Sequence, residues 1–298
     1  MGDTEAQKGI TGESMSKQIP IPAAAAAAGM TTLVFEDDFD SLDTIALDGN
    51  DTPEHKWYTR CYGHQFTPQD VELHDSYIHM GGKTYGLCTY SRPLDTGFTV
   101  TCGTYLEVRM RASMPTGEYG GIPAFWTIGL EDFMGRPWTH VGELDVVELF
   151  ITKNKDGEDQ KYFAGTLHDH YRTGEVLENG RLLTKYGTNI VNATGYLDQF
   201  PFIGDEWHTY GALWEKGRVA WYMDGKLMHL AEYTEDALPE YYYRDDPTPL
   251  PRAKEIWPDT KKEEWKGQHS IMDTDTGVVL LTSRTTYPMD VDWVRVWR

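Results

Sequence analysis

Few segments of this chain carry a helical period. From Thr32 onward it is instead broken into short runs of β-branched, aromatic and aliphatic residues separated by turn residues, and that texture restricts it to an all-β fold. Thr32-Leu33-Val34-Phe35, Thr104 to Arg111, Val219 to Met223 and Val278 to Thr282 read as strands. Asp224-Gly225, between Val219–Met223 and Lys226–His229, is a hairpin signal, because a two-residue hairpin turn favours residues that tolerate positive φ. Met289 to Trp297 alternates cleanly between apolar and polar positions, and a strand there closes the domain. Many strands at close spacing, each with one apolar face, predict a two-sheet β-sandwich of the jelly-roll kind. Tyr233 to Lys266 has neither period and reads as a long surface excursion.

At 298 residues, with 40% hydrophobic content, 10 Trp and 18 Tyr, the chain can fill one large β core and leave aromatics over for a binding surface. The expected organisation is a disordered or linker-like segment over 1–31 and a single domain over 32–298. Within the first segment, the six alanines between Pro22 and Gly29 form a linker or a short docking helix. The net charge of −20, with no basic stripe, argues against nucleic acid as a partner and, less strongly, against a polyanionic substrate. Cys61, Cys88 and Cys102 show no CxxC spacing, which argues against zinc. Three buried thiols are expected, with one bridge and a free thiol as the alternative. No stretch of 18 apolar residues occurs, so no membrane span is expected, and the polar run Met1 to Gln18 does not look like a signal peptide.

The chemistry concentrates in Gly142-Glu143-Leu144-Asp145-Val146-Val147-Glu148-Leu149-Phe150. Strand alternation puts Glu143 and Asp145 on one face and would send Glu148 to the other. One β-bulge between Asp145 and Glu148 absorbs the extra residue and returns Glu148 to the first two. Leu144, Leu149 and at least one valine then fill a core behind the acids. Carboxylates crowded in this way raise one another's pKa values, the asymmetry that glycoside hydrolysis needs: one ionised carboxylate and one proton donor. The outer pair is separated by roughly 13 Å of backbone, which two leaning glutamate side chains can close to the about 5–5.5 Å of a retaining glycosidase.

The run resembles the catalytic signature of glycoside hydrolase family 16 in its bulged E-x-D-x-x-E form. Further resemblance lies in Pro115-Thr116-Gly117 with Gly121 to Gly129, Pro137-Trp138, Gly165-Thr166-Leu167-His168, Trp207 to Tyr210, Trp221 to Lys226 and Val291 to Val296, so that it extends from about Leu33 to Arg298. It implies a concanavalin-like jelly roll with a concave substrate cleft and hydrolysis by double displacement. Glu143 would be the nucleophile, Glu148 the general acid/base, and Asp145 the residue that hydrogen-bonds the nucleophile. His168 would lie beside the acid/base. Trp126 and Trp138 would stack on sugar rings, although core packing competes for each, since Phe125-Trp126 must send one ring inward. His168 and His170 could chelate a metal, but no third ligand is evident and a cleft role explains His168 better.

The resemblance implies no cofactor for catalysis. It does imply a structural calcium, with Asp38 and Asp292 as the candidate ligands and solvated acids at strand ends as the alternative. An Asn-Glu segment frequent in β-1,3-glucanases is missing, with Gly63-His64-Gln65-Phe66 in its place. Val278 to Arg284 lacks the frequent Asn and Gly pair, and Arg284 could replace those contacts or meet an acidic sugar. The function expected is a retaining endo-β-glycanase of the endo-β-1,3-glucanase type. Alternatives are a β-galactan hydrolase (agar, carrageenan or porphyran type), a bacterial exopolysaccharide hydrolase, a non-catalytic carbohydrate-binding module, or a docking module of a larger assembly. The protein is expected to act as a monomer on a polysaccharide, outside the cell or at its surface.

Overall fold

The computed structural model describes residues 19–47, 49–61, 64–65, 71–81, 86–113, 122–136, 140–153, 156–176, 182–195, 206–232, 276–283 and 287–298. The excursion expected over Tyr233 to Lys266 and residues 1–18 lie outside them. The described residues are mostly strand, arranged in two large sheets. One sheet has eight strands, in the order Lys226–Glu232, Arg218–Met223, His208–Glu215, Thr104–Ala112, Met289–Trp297, Tyr77–Met80 and Val71–His74, with Leu33–Asp37 also paired to Met289–Trp297. The other has nine strands. Its order is Leu182–Gly195, Asp159–Val176, His140–Lys153, Ala124–Gly129, Gly277–Thr282, Leu87–Cys88, Trp57–Tyr58 and Ile45–Ala46, with Thr99–Val100 paired to Gly277–Thr282.

Alternation decides what lies between the sheets. Leu106, Val108 and Met110 from one sheet meet Leu144, Val147, Leu149, Val279 and Leu281 from the other, and all are buried in one core. The hairpin is built as its residues require, with Asp224 at φ 50° and Gly225 at φ 73°. The closing strand pairs with Thr104–Ala112 along its length, and Thr32 and Arg298 exchange two backbone hydrogen bonds of 2.7 and 2.8 Å.

Two smaller apolar clusters cover the outer faces. Helix α1 (Ala23–Ala27) lies on the outside of the eight-stranded sheet, where Ala25 and Met30 are buried against Tyr105, Leu213, Ala220 and Trp297. The alanine run is thus a docking helix. Helix α2 (Leu130–Met134) follows directly from Ala124–Gly129 and buries Phe133 against Ile128, Val141, Val278 and Leu280 on the outside of the nine-stranded sheet. Cys61 and Cys88 are buried thiols; Cys102, expected to be buried too, is half-buried, and none of the three is bridged. No helix among the described residues is long and apolar enough to cross a membrane.

Candidate active site

The acidic strand His140–Lys153 runs between Ala124–Gly129 and Asp159–Val176, away from either sheet edge. Leu144, Val146, Val147 and Leu149 all enter the inter-sheet core. A regular strand cannot send two consecutive valines inward, and the pairing shows how this one does. Asp145 lies opposite Thr166, and Glu148 opposite Ala164, so Val146 and Val147 together face the single residue Gly165. On the other side Phe125 pairs with Val147 and Trp126 with Asp145, which leaves Val146 as the unmatched residue. Beyond the bulge Glu148 returns to the acid face, where its Oε2 is 3.5 Å from the donating Thr166 hydroxyl.

Burial and mutual charge set the protonation states. Asp145 is only 2% exposed, and burial first, then the charge of Glu143, pushes its carboxyl well above the ordinary carboxylate range. Glu148 is raised to about 8, chiefly by burial and next by Asp145, while His168 and the Thr166 hydroxyl pull the other way. Glu148 therefore holds its proton at neutral pH and can donate it. The His168 Nε2 lies 3.1 Å from Asp145 Oδ2 and 3.6 Å from Glu143 Oε1. The contact with Asp145 is out of line for a hydrogen bond, and Oδ2 has no such partner among the described residues. Ligand-type atoms of Glu143, Asp145 and His168 fall within 4.8 Å of one another, so these types could also hold a cation. His168 thus has two carboxylates of ligand type beside it, where the sequence showed no third ligand.

The ladder sets His168 opposite Glu143, two residues from Thr166 on the same face, with Ala164 opposite Glu148. From there its charge also reaches Glu148 and pulls the pKa of that carboxyl down. Phe125 is the ring that turns inward, fully buried, while Trp126 stays half-buried on the acid face with its indole N–H donating to Thr282 Oγ1 at 2.9 Å. Trp138, Arg284 and the side chain of His170 lie outside the described residues.

The two proposed calcium ligands do not suit a cation. Asp292 is ion-paired to Arg109, and Asp38 Oδ1 accepts from Arg295 at 2.8 Å, so each carboxylate is already matched by a guanidinium. Neither joins a cluster of three or more metal-ligand side chains among the described residues. Sequence reasoning missed Thr166 as a partner of Glu148, although its period-2 relation to His168 would have found it. It also missed Trp221, whose indole N–H donates to the Asp145 carbonyl oxygen at 2.8 Å from the opposite sheet.

A family model described as glycosyl hydrolases family 16 matches residues 89–275. The chain is 28% identical over 147 residues to endo-1,3-1,4-beta-glycanase ExsH of Rhizobium meliloti (strain 1021), covering 49% of this chain and 25% of that protein. It is 27% identical over 128 residues to glucan endo-1,3-beta-glucosidase A1 of Niallia circulans, covering 42% of this chain and 15% of that protein. The matches thus span a quarter or less of the length of these relatives. Among solved structures, the laminarinase catalytic domain from Thermotoga maritima MSB8 superposes with a TM-score of 0.51 at 18% identity, over 90% of this chain and 98% of that one. At that identity the likeness is one of fold.

Proposed function

The chain belongs to glycosyl hydrolases family 16, and we propose that it cleaves β-1,3-glucan internally, with retention of anomeric configuration. The observation that carries this reading is the bulge: it gathers Glu143, Asp145 and Glu148 on one face and leaves Glu148 protonated at neutral pH. Glu148 donates its proton to the departing glycosidic oxygen while a Glu143 oxygen attacks the anomeric carbon, and a glycosyl ester forms as the C–O bond breaks. Glu148, now ionised, takes a proton from water, whose oxygen displaces Glu143 and restores both groups. Asp145 and His168 flank Glu143 and hold its carboxylate in place. The half-buried Trp126 indole, on the same face opposite Asp145, offers a flat apolar surface to a sugar ring. The names of the two relatives both carry a β-1,3 specificity, and that of the second, a glucan endo-1,3-beta-glucosidase, supports the choice of glucan.

A panel of laminarin, mixed-linkage β-glucan, agarose and carrageenan, with product sizing, tests the substrate and the internal mode of attack. Laminarin is expected to yield a ladder of oligosaccharides, with β anomers released first by proton NMR. Glu143→Gln is expected to abolish turnover. Activity that survives this change, or an α anomer as first product, refutes the assignment.

A further inference from the structure

The bulge that gathers the three acids is held from the far side of the molecule. In a regular ladder a backbone carbonyl lies in the plane of its sheet and points at a neighbouring strand. The carbonyl of Asp145 accepts from the indole N–H of Trp221, a residue of Arg218–Met223 in the opposite sheet, at 2.8 Å. That bond draws the carbonyl toward the space between the sheets. Trp221 is 1% exposed, so no water competes for the bond.

Gly165 explains how the indole reaches this position. It is the single residue that faces Val146 and Val147 across the bulge. A Cβ on it would stand 2.1 Å from Cδ1 and 2.3 Å from Nε1 of Trp221, which no side chain can occupy. Its backbone is not left-handed, so the glycine is there for space. Gly165, the Asp145 carbonyl and the indole fit together as one unit at the point where the strand changes register.

The two glutamates stand on opposite sides of that point. Glu143 precedes it and is set by regular pairing with Ile128 and His168. Glu148 follows it, and its place depends on how the extra residue is accommodated. We propose that Trp221 is a positioning residue for proton donation: its indole N–H anchors the Asp145 carbonyl from the opposite sheet and so fixes the bulge that aims Glu148 at the scissile oxygen. This rests on the hydrolytic reading given above. Without the N–H the buried carbonyl loses its inter-sheet donor, and the peptide at the bulge is free to shift. The resulting shift of Glu148 need be only a fraction of an ångström, and a displacement of about 1 Å costs on the order of 100-fold in rate.

The test separates a misplaced acid from a loosened fold. Trp221→Phe removes the N–H and keeps an aromatic ring. Replacing Trp221 with β-(3-benzothienyl)alanine puts sulfur in place of the N–H within the same ring outline, which keeps the test available if the phenylalanine variant does not fold. Each is assayed on laminarin, whose leaving alcohol needs a proton, and on a 2,4-dinitrophenyl β-laminaribioside, whose leaving group departs without one. Active protein is counted by covalent trapping with a 2-fluoro glycoside.

The expected outcome on laminarin is a fall in kcat of about 30- to 100-fold with KM within about 2-fold. kcat/KM for the aryl glycoside, which ends at formation of the glycosyl ester and so needs no proton from Glu148, stays within about 3-fold, and the alkaline limb of the laminarin pH profile moves. Equal losses of kcat/KM on both substrates, or no loss on either per trapped molecule, overturn the proposal and leave the hydrolytic reading intact. An unmodified protein that turns over neither substrate overturns that reading, and this inference with it.

Discussion

Glu148→Gln should stabilise the protein by an amount that grows as pH rises from about 4.5 to about 8 and is fully present above that. The folded state keeps the proton on Glu148 up to about pH 8, whereas an unfolded chain releases it near 4.5. Across that window the native state binds the extra proton, so stability falls as pH rises. Moving the carboxyl from 4.5 up to about 8 corresponds to a penalty of about 5 kcal/mol on the ionised form, at 1.36 kcal/mol per pH unit. Glu148 is not fully buried, and relaxation of its surroundings reduces the expectation to about 2–3 kcal/mol. Glutamine has nearly the same shape and never ionises, so it escapes the penalty. In a chain of this size about 2–3 kcal/mol corresponds to roughly 3–5 °C in Tm. Thermal unfolding of both proteins, followed by circular dichroism from pH 4 to pH 9, should show coincident midpoints at pH 4 and a gap of that size in favour of the variant at pH 9. A gap that does not change with pH, or one that favours the unmodified protein at pH 9, would mean that the native site solvates the Glu148 carboxylate, and the reasoning would fail.

The same proton bounds catalysis. The alkaline limb of kcat/KM on laminarin should fall with an apparent pKa near 8, in line with the raised Glu148, and a limb near 5 would contradict Glu148 as the donor. Because Asp38 and Asp292 are matched by Arg295 and Arg109, excess chelator followed by added calcium should leave Tm unchanged within about 1 °C, where a structural cation would produce a clear shift.

The bulge was legible because residue types alone demand it: three acids share a face and two adjacent valines need a core, and a regular strand satisfies only one of these. The hairpin at Asp224-Gly225 was legible for a similarly local reason, since both residues tolerate positive φ. What could not be read depends on partners brought together across strands. The contacts of His168 with Glu143 and Asp145 follow from the register between two strands, which one inserted residue displaces. Asp292 and Asp38 looked like cation ligands in isolation, but their arginines come from a neighbouring strand and from further along the closing strand. Whether the alanine run docks depends on an apolar outer face assembled from Tyr105, Leu213, Ala220 and Trp297, which lie on four different strands. Trp221 is 76 residues from Asp145 in the chain, and alternation says only that it turns inward.

The one-against-two pairing at Gly165 also bears on how the length of this strand can change. Deleting Leu144 would leave Glu143 and the aspartate adjacent, and so on opposite faces. Deleting either Val146 or Val147 has a different effect: the remaining residues alternate strictly, and all three acids still face the same way. A single codon lost at the bulge therefore converts one workable acid face into another. The shortened strand would rejoin its ladder, and the indole N–H of Trp221 would be left buried without its acceptor. A further change at position 221 or 165 would then be needed to make such a deletion comfortable.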